Sequence, residues 1–299
     1  MFKKTAIVAG IALALSATAQ AEYQWELGAD YSTGEVDIGS ASPDKDVISG
    51  SGTYFIDAVD DTKGPLAEAA FLDRASSINI FASNGEIDGD FVKDLGVKNY
   101  GMQIHSVFSD GGWIADFGYK RIENDTLSTS LAAGPLPTPR AQRGLDTIDV
   151  DQFALGFGKY LTDRTTLVFT YAYSDIDEAG DYNTYRLDLE HLFQFSFGDI
   201  KAEASYGLVD VSVNDEFEDK DDIDIYKVGA TYYFNKNIGL GVNYGEEDFD
   251  SDAFQRWEAN ASWFISDQWE VSVNYLDGEF DDIDDVEEKA VTIGTRYRF

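Results

Sequence analysis

The chain has no cysteine, which removes disulfide frameworks, thiol nucleophiles and thiolate metal centres from consideration. Only two histidines occur, His105 and His191, so imidazole chemistry has two candidate residues. Past residue 21 no stretch approaches the roughly 20 consecutive apolar residues that a membrane-spanning helix needs. Basic residues number 22 against 56 acidic ones in 299, and the resulting net charge of −34 excludes nucleic acid as a partner. No Gly-x-Ser-x-Gly elbow or Gly-rich phosphate loop occurs, and the acidic stretches lack the spacing of a calcium loop. No catalytic residue, cofactor or metal site is therefore expected.

The first residues carry Lys3 and Lys4, then an apolar run from Ala6 to Leu15, then Ala19-Gln20-Ala21. This is the arrangement of a secretory signal peptide with its small-residue cleavage site, so residues 1–21 are expected to be removed and residues 22–299 to form one domain. Two lysines leave with the leader, which sets 20 basic against 56 acidic residues, a net charge of −36. So many carboxylates invite disorder, but 14% aromatic and 43% hydrophobic residues supply enough apolar surface to fold.

From Glu22 onward the dominant period is two. Tyr23, Trp25, Leu27, Ala29 and Tyr31 alternate with Gln24, Glu26, Gly28, Asp30 and Ser32, so one face is apolar and the other polar or small. The pattern returns at Leu167, Phe169, Tyr171 and Tyr173, at Tyr185, Leu187 and Leu189, and at Trp257, Ala259, Ala261 and Trp263. A soluble sandwich alternates too, so the connections decide the fold. Short links at 162–164, 197–199, 235–237 and 266–268 take turns with long acidic ones at 175–181, 214–222, 246–252 and 277–288. That is the loop pattern of an all-β, transmembrane antiparallel up-and-down barrel with short periplasmic turns and long acidic extracellular loops. The expected strands, about fourteen (12 to 16), are 22–33, 45–59, 65–82, 97–108, 113–123, 147–161, 165–175, 182–196, 200–212, 223–234, 238–246, 254–265, 269–278 and 287–299. Within 65–82 the run Ala67-Glu68-Ala69-Ala70 reads as readily helical, and face parity slips near Asp73 and Arg74, as a bulge would produce.

Aromatic residues bracket the strands: Tyr160, Phe195, Tyr233, Phe234 and Phe264 before short turns, and Tyr119, Tyr173, Tyr206, Tyr244 and Tyr275 before long loops. Two girdles at the hydrocarbon boundaries are the expected reading.

The chain closes on a strand that ends in Tyr297 and Phe299, a pair that resembles the signal by which the barrel-assembly machinery selects outer-membrane proteins. With the leader and the Tyr-rich alternation, the mature chain resembles the general porins of Gram-negative bacteria. The segment Lys63-Gly64-Pro65-Leu66-Ala67-Glu68-Ala69-Ala70-Phe71-Leu72 is similar to one found in a porin family of those bacteria. The resemblance implies residence in the outer membrane, contact with its lipid and lipopolysaccharide, and passive diffusion of small hydrophilic solutes, with cation preference expected from the charge. It leaves monomer and homotrimer both open. It also implies that the third external loop, 123–146, folds inward as a constriction carrying Arg140 and Arg143; an external course for this Pro-rich loop is equally compatible with its sequence.

The polar faces place Asp116, Lys120, Arg186, Asp188, Glu190, Lys201, Glu203, Lys227, Arg256, Glu258, Glu270, Arg296 and Arg298 toward the lumen. Charges there are hydrated, whereas each would cost kcal/mol in hydrocarbon. The competing readings are a non-conducting structural or adhesive barrel and a barrel hydrolase using His105 or His191.

Overall fold

The structure, a computed structural model, describes residues 22–38, 42–89, 95–108, 110–124, 148–176, 180–213, 222–249, 252–280 and 286–299. Residues 1–21, the expected leader, lie outside the described residues, as does 125–147 with Arg140 and Arg143. The strands are β1 (Glu22–Ile38), β2 (Asp44–Asp60), β3 (Ser77–Asp88), β4 (Leu95–Phe108), β5 (Trp113–Asn124), β6 (Ile148–Thr162), β7 (Thr165–Ile176), β8 (Gly180–Phe195), β9 (Gly198–Val213), β10 (Asp222–Asn235), β11 (Ile238–Phe249), β12 (Asp252–Ser266), β13 (Trp269–Phe280) and β14 (Val286–Arg298). They form one closed antiparallel barrel in sequence order, and β1 pairs with β14 from Glu26↔Arg298 to Ile38↔Val286. The fourteen strands and the closure agree with the sequence reading.

Alternation sorts each strand into two faces. The apolar set points outward and stays exposed: Ile80 is 61% exposed, Phe157 59% and Trp263 54%. A band of that kind around a whole molecule is stable only against lipid, since in water it would far exceed the patch a soluble protein tolerates. Among the described residues, no helix is long and apolar enough to cross a membrane.

Several strands run further than their hydrophobic pattern suggests, because the alternation continues into acidic sequence. β8 and β9 have 16 residues each. At about 3.3 Å per residue and a tilt near 40° such a strand stands about 40 Å tall, beyond the ~25 Å apolar band. The surplus lies at the long-loop end. There outward tyrosines donate to outward acids nearer the rim, Tyr31 to Asp46 at 2.6 Å, Tyr119 to Asp151 at 2.7 Å and Tyr206 to Asp224 at 2.7 Å. Each ring thus sits in the band edge with its hydroxyl toward charge and water.

At the other end the turns are tight. Asn235 Oδ1 accepts from the backbone N–H groups of Asn237 (2.8 Å) and Ile238 (3.1 Å), closing the β10–β11 turn. The girdle expected here is only partly present. Phe195 and Phe234 are exposed on the outer face, but Tyr160, Tyr233 and Phe264 are buried at 6%, 5% and 2% exposure. Strand parity gives the reason: these three fall on the inward positions of β6, β10 and β12.

The connection between β2 and β3 is the main departure from the expected fold. The expected strand 65–82 begins only at Ser77, and the preceding residues form a 3-10 turn, Leu66–Glu68, and a short helix α1, Ala69–Leu72. Ala67, Glu68, Ala69 and Ala70 are good helix formers, and Pro65 enters with φ −57° already set. The parity slip at Asp73 and Arg74 reflects a chain leaving the helix, with Arg74 at φ 54° in the left-handed region.

Gly34 lies at the barrel seam, where an added β-carbon would come within 2.2 Å of the Lys289 carbonyl. Gly50, on the adjacent strand, has only the Gly28 carbonyl at 3.8 Å. Gly34→Val is expected to prevent most of the chain from folding, as read by heat-modifiable electrophoretic mobility, while Gly50→Ala leaves the folded fraction unchanged.

Candidate functional site

The inward face of a fourteen-strand barrel is too wide for side chains alone to fill. At the short-turn end the space is crossed by residues 61–76, which dock on strands distant in sequence. The Leu66 N–H donates to the Lys236 carbonyl at 2.8 Å in the β10–β11 turn, and Leu66 is fully buried. Arg298 donates from Nη1 to the Leu66 carbonyl at 2.7 Å and from Nε to Glu26 at 2.7 Å. Its guanidinium also lies 4.8 Å from the Tyr23 ring centre and 4.7 Å from that of Phe264. Tyr23 can reach it because a register shift between Tyr23 and Trp25 turns the tyrosine inward, against the expected outward alternation.

Glu68 is the second anchor. Tyr233 donates its hydroxyl to this carboxylate, and Lys201 Nζ lies 3.6 Å from it, with Glu190 at 3.8 Å and Glu203 at 3.9 Å from the same ammonium. A carboxylate with its side chain 7% exposed is tolerable only with such partners. Across the barrel the Tyr160 hydroxyl donates to the Phe71 carbonyl at 2.9 Å, and Arg74 stacks 4.8 Å from the Tyr160 ring while pairing with Asp163 at 2.6 Å. Lys63 and Asp73 pair with each other at the mouth of the segment. Residues 61–76 are thus pinned to β6, β9, β10 and β14.

The register puts all thirteen charged positions proposed for the lumen on the inward face, and the structure brings many of them into local pairs. Lys227 meets Glu203 at 3.1 Å, Arg186 Nε meets Asp188 at 2.9 Å, Arg296 meets Glu270 at 3.5 Å, and Arg256 lies 3.7 Å from Glu247 and 3.8 Å from Glu258. Lys120 lies nearer the loop end, level with Gln152 and Ser174. Lys201, Glu190 and Arg298 bind the inward segment directly or through a shared partner, a role their spacing did not announce.

His105 faces inward, with Nδ1 2.6 Å from Asp116 Oδ1. His191 sits on the outward positions of β8 against the Thr165 hydroxyl at 2.7 Å, so the two histidines occupy opposite faces of the wall and cannot share one site. Among the described residues no group of three or more His, Cys, Asp or Glu is arranged to hold a metal ion.

Between the inward segment and β4–β8 lies a cavity of about 400 Å³. Phe55, Ala70, Phe71, Ala75, Ile114 and Val168 give it an apolar floor, while His105, Asp116, Arg186, Asp188 and Glu190 supply its charge. At the seam on the same end, Phe299 stacks on Trp25 with ring centres 6.5 Å apart and on Tyr297 at 5.9 Å, and its carbonyl accepts from the Gln24 and Trp25 N–H groups.

Residues 178–299, spanning β8 to β14, match the family model described as Gram-negative porin. Among solved structures the chain is similar to the outer membrane protein Omp33 of Acinetobacter baumannii, at 18% identity and a TM-score of 0.60 over 94% of this chain and 100% of that one. It is similar to the toluene transporter TodX of Pseudomonas putida at 11% identity and a TM-score of 0.53, over 94% and 90%. A bacterial polysaccharide outer membrane secretin gives 11% identity and 0.52, over 94% and 100%. No functionally curated protein matches the sequence. The chain therefore has the fold of outer-membrane β-barrels, with an outer surface that associates with membrane lipid.

Arg298→Met would leave Glu26 and the Leu66 carbonyl without their buried cation, at a cost of about 3 kcal/mol. The expected result is faster trypsin cleavage at Lys63 and Arg74 in barrels whose electrophoretic mobility still reports closure. Cleavage at the wild-type rate would show that Arg298 does not hold the segment.

Proposed function

We propose that the protein is an outer-membrane porin, a passive diffusion channel for small hydrophilic solutes, narrowed at its periplasmic end by residues 61–76. The observation that carries this reading is a closed barrel with an apolar outer band and a charged lumen, crossed at one end by a segment held on Arg298 and Glu68. Paired acids and bases along a wet wall make a transverse field that orders water and screens solutes by polarity. The match of β8–β14 to porins supports the same reading. A net charge of −36 on residues 22–299, 20 basic against 56 acidic, favours cations over anions at the mouth.

Export would proceed through cleavage after Ala21, and insertion through recognition of Tyr297 and Phe299 by the barrel-assembly machinery. Lipopolysaccharide phosphates would be bridged to the acidic rim by weakly held divalent cations. Monomer and homotrimer are both consistent with the outward faces. A non-conducting structural barrel is the second reading, and the inward segment is the observation that favours it, because it occupies the lumen.

Single-channel recording in a planar bilayer under a KCl gradient separates these readings. Discrete steps with a cation-biased reversal potential are expected. An anion-biased potential would overturn the charge selectivity, and silence from folded protein would establish the structural reading. Replacing 64–75 with a two-residue turn is expected to raise conductance severalfold; an unchanged step size would place the constriction elsewhere.

A further inference from the structure

Register places seven inward residues in one lateral row across neighbouring strands: Phe55, Ser77, His105, Asp116, Gly156, Thr170 and Arg186. An acid and a base thus stand three strands apart in the same register row, about 14 Å along the wall at ~4.8 Å per strand. Only Gly156 and Thr170 come between them, and the long arginine side chain shortens the gap further. The row borders the cavity above the inward segment.

Both charged groups have part of their bonding capacity turned to that cavity. Asp116 Oδ1 is held by His105, while Oδ2 leans over Gly156, where an added β-carbon would come within 2.9 Å of it. Glycine at 156 therefore makes room for this oxygen. Arg186 is fixed through Nε by Asp188, and its two Nη groups make no hydrogen bond among the described residues, with the side chain 43% exposed. A guanidinium oriented by one bond and open on its terminal nitrogens fits a carboxylate. Below the pair lies the apolar floor on Phe71.

We infer that this cavity is a docking site for small zwitterions with an apolar side group, the α-amino acids of leucine size being the fitting class. The solute carboxylate meets Arg186, its ammonium meets Asp116, and its side group rests on Phe71. The volume of about 400 Å³ lies within the usual range for small-molecule sites. The inference rests on the channel reading, because the cavity lies inside the barrel.

The test uses full-length protein in planar bilayers and three solutes of one carbon skeleton: leucine, isoamylamine, which lacks the carboxylate, and 4-methylpentanoate, which lacks the amine. Leucine is expected to reduce the open-channel current at about tenfold lower concentration than either analogue, the factor one charge-assisted contact supplies. Arg186→Gln should bring leucine to the level of isoamylamine, and Asp116→Asn to that of 4-methylpentanoate. Wild-type leucine block no stronger than that of the analogues overturns the docking site while discrete steps preserve the channel. Folded protein that gives no steps overturns both. The solute series needs no variant, so a misfolded substitution does not remove the test.

Discussion

Closure of β1 against β14 is the constraint from which the other features of this protein follow. Hydrocarbon offers no partner for a free backbone N–H or C=O, so a sheet that crosses a bilayer must end on itself. The seam runs from Glu26 to Ile38 of β1, and at Gly34 the β14 backbone leaves no room for a β-carbon. Once closed, the sheet has an inside and an outside, and strand parity assigns every residue to one or the other. The same alternation that carries Phe157 and Trp263 to lipid carries Tyr160 and Phe264 to the interior.

A closed sheet of this size encloses more room than its inward side chains occupy, and that room is handled differently at its two levels. Nearer the loop end, the wall is lined by Lys120, Gln152 and Ser174. At the turn end, the backbone of residues 61–76 enters the lumen and must find partners for its own polar groups. Arg298 supplies them while also neutralising Glu26 on β1, so a single side chain on the last strand serves both the seam and the constriction. This is a better use of a buried guanidinium than an isolated ion pair, since its donors satisfy a carboxylate and a carbonyl of the inward segment together.

The barrel was legible in the sequence because its signal is repeated in every strand. Period two, alternating loop lengths and an even strand count are redundant, so the ambiguous stretch at 65–82 did not disturb the count. That stretch was the exception because helix propensity in Ala67-Glu68-Ala69-Ala70 and strand alternation from Ser77 onward follow each other with only Asp73 and Arg74 to mark the break. The inward positions of the charged residues were equally legible, being a matter of parity. Their partners were not. Glu68 and Tyr233 are 165 residues apart, and Arg298 and Leu66 are 232 apart, so no local pattern could pair them. Tyr160 and Tyr233 looked like girdle residues because their position near turns is visible in sequence, whereas the segment they bind is visible only in three dimensions.

The separation of these anchors in sequence also decides which parts of the fold the inward segment depends on. Residues 61–76 follow the second strand, yet their partners lie on β6, β9, β10 and β14, the last of which completes the barrel. The polar part of the binding surface is complete only when those strands stand at one end of the closed barrel, whereas the apolar contact of Ala69 with Phe55 and Val59 is local in sequence. Its contacts combine ionic anchors at Glu68, Lys201, Arg74 and Arg298 with apolar packing of Ala69 on Phe55 and Val59, of Phe71 on Tyr160 and of the buried Leu66. The ionic anchors lie where the finished lumen supplies their counter-charges, Lys201 opposite Glu68, Asp163 opposite Arg74 and Glu26 opposite Arg298.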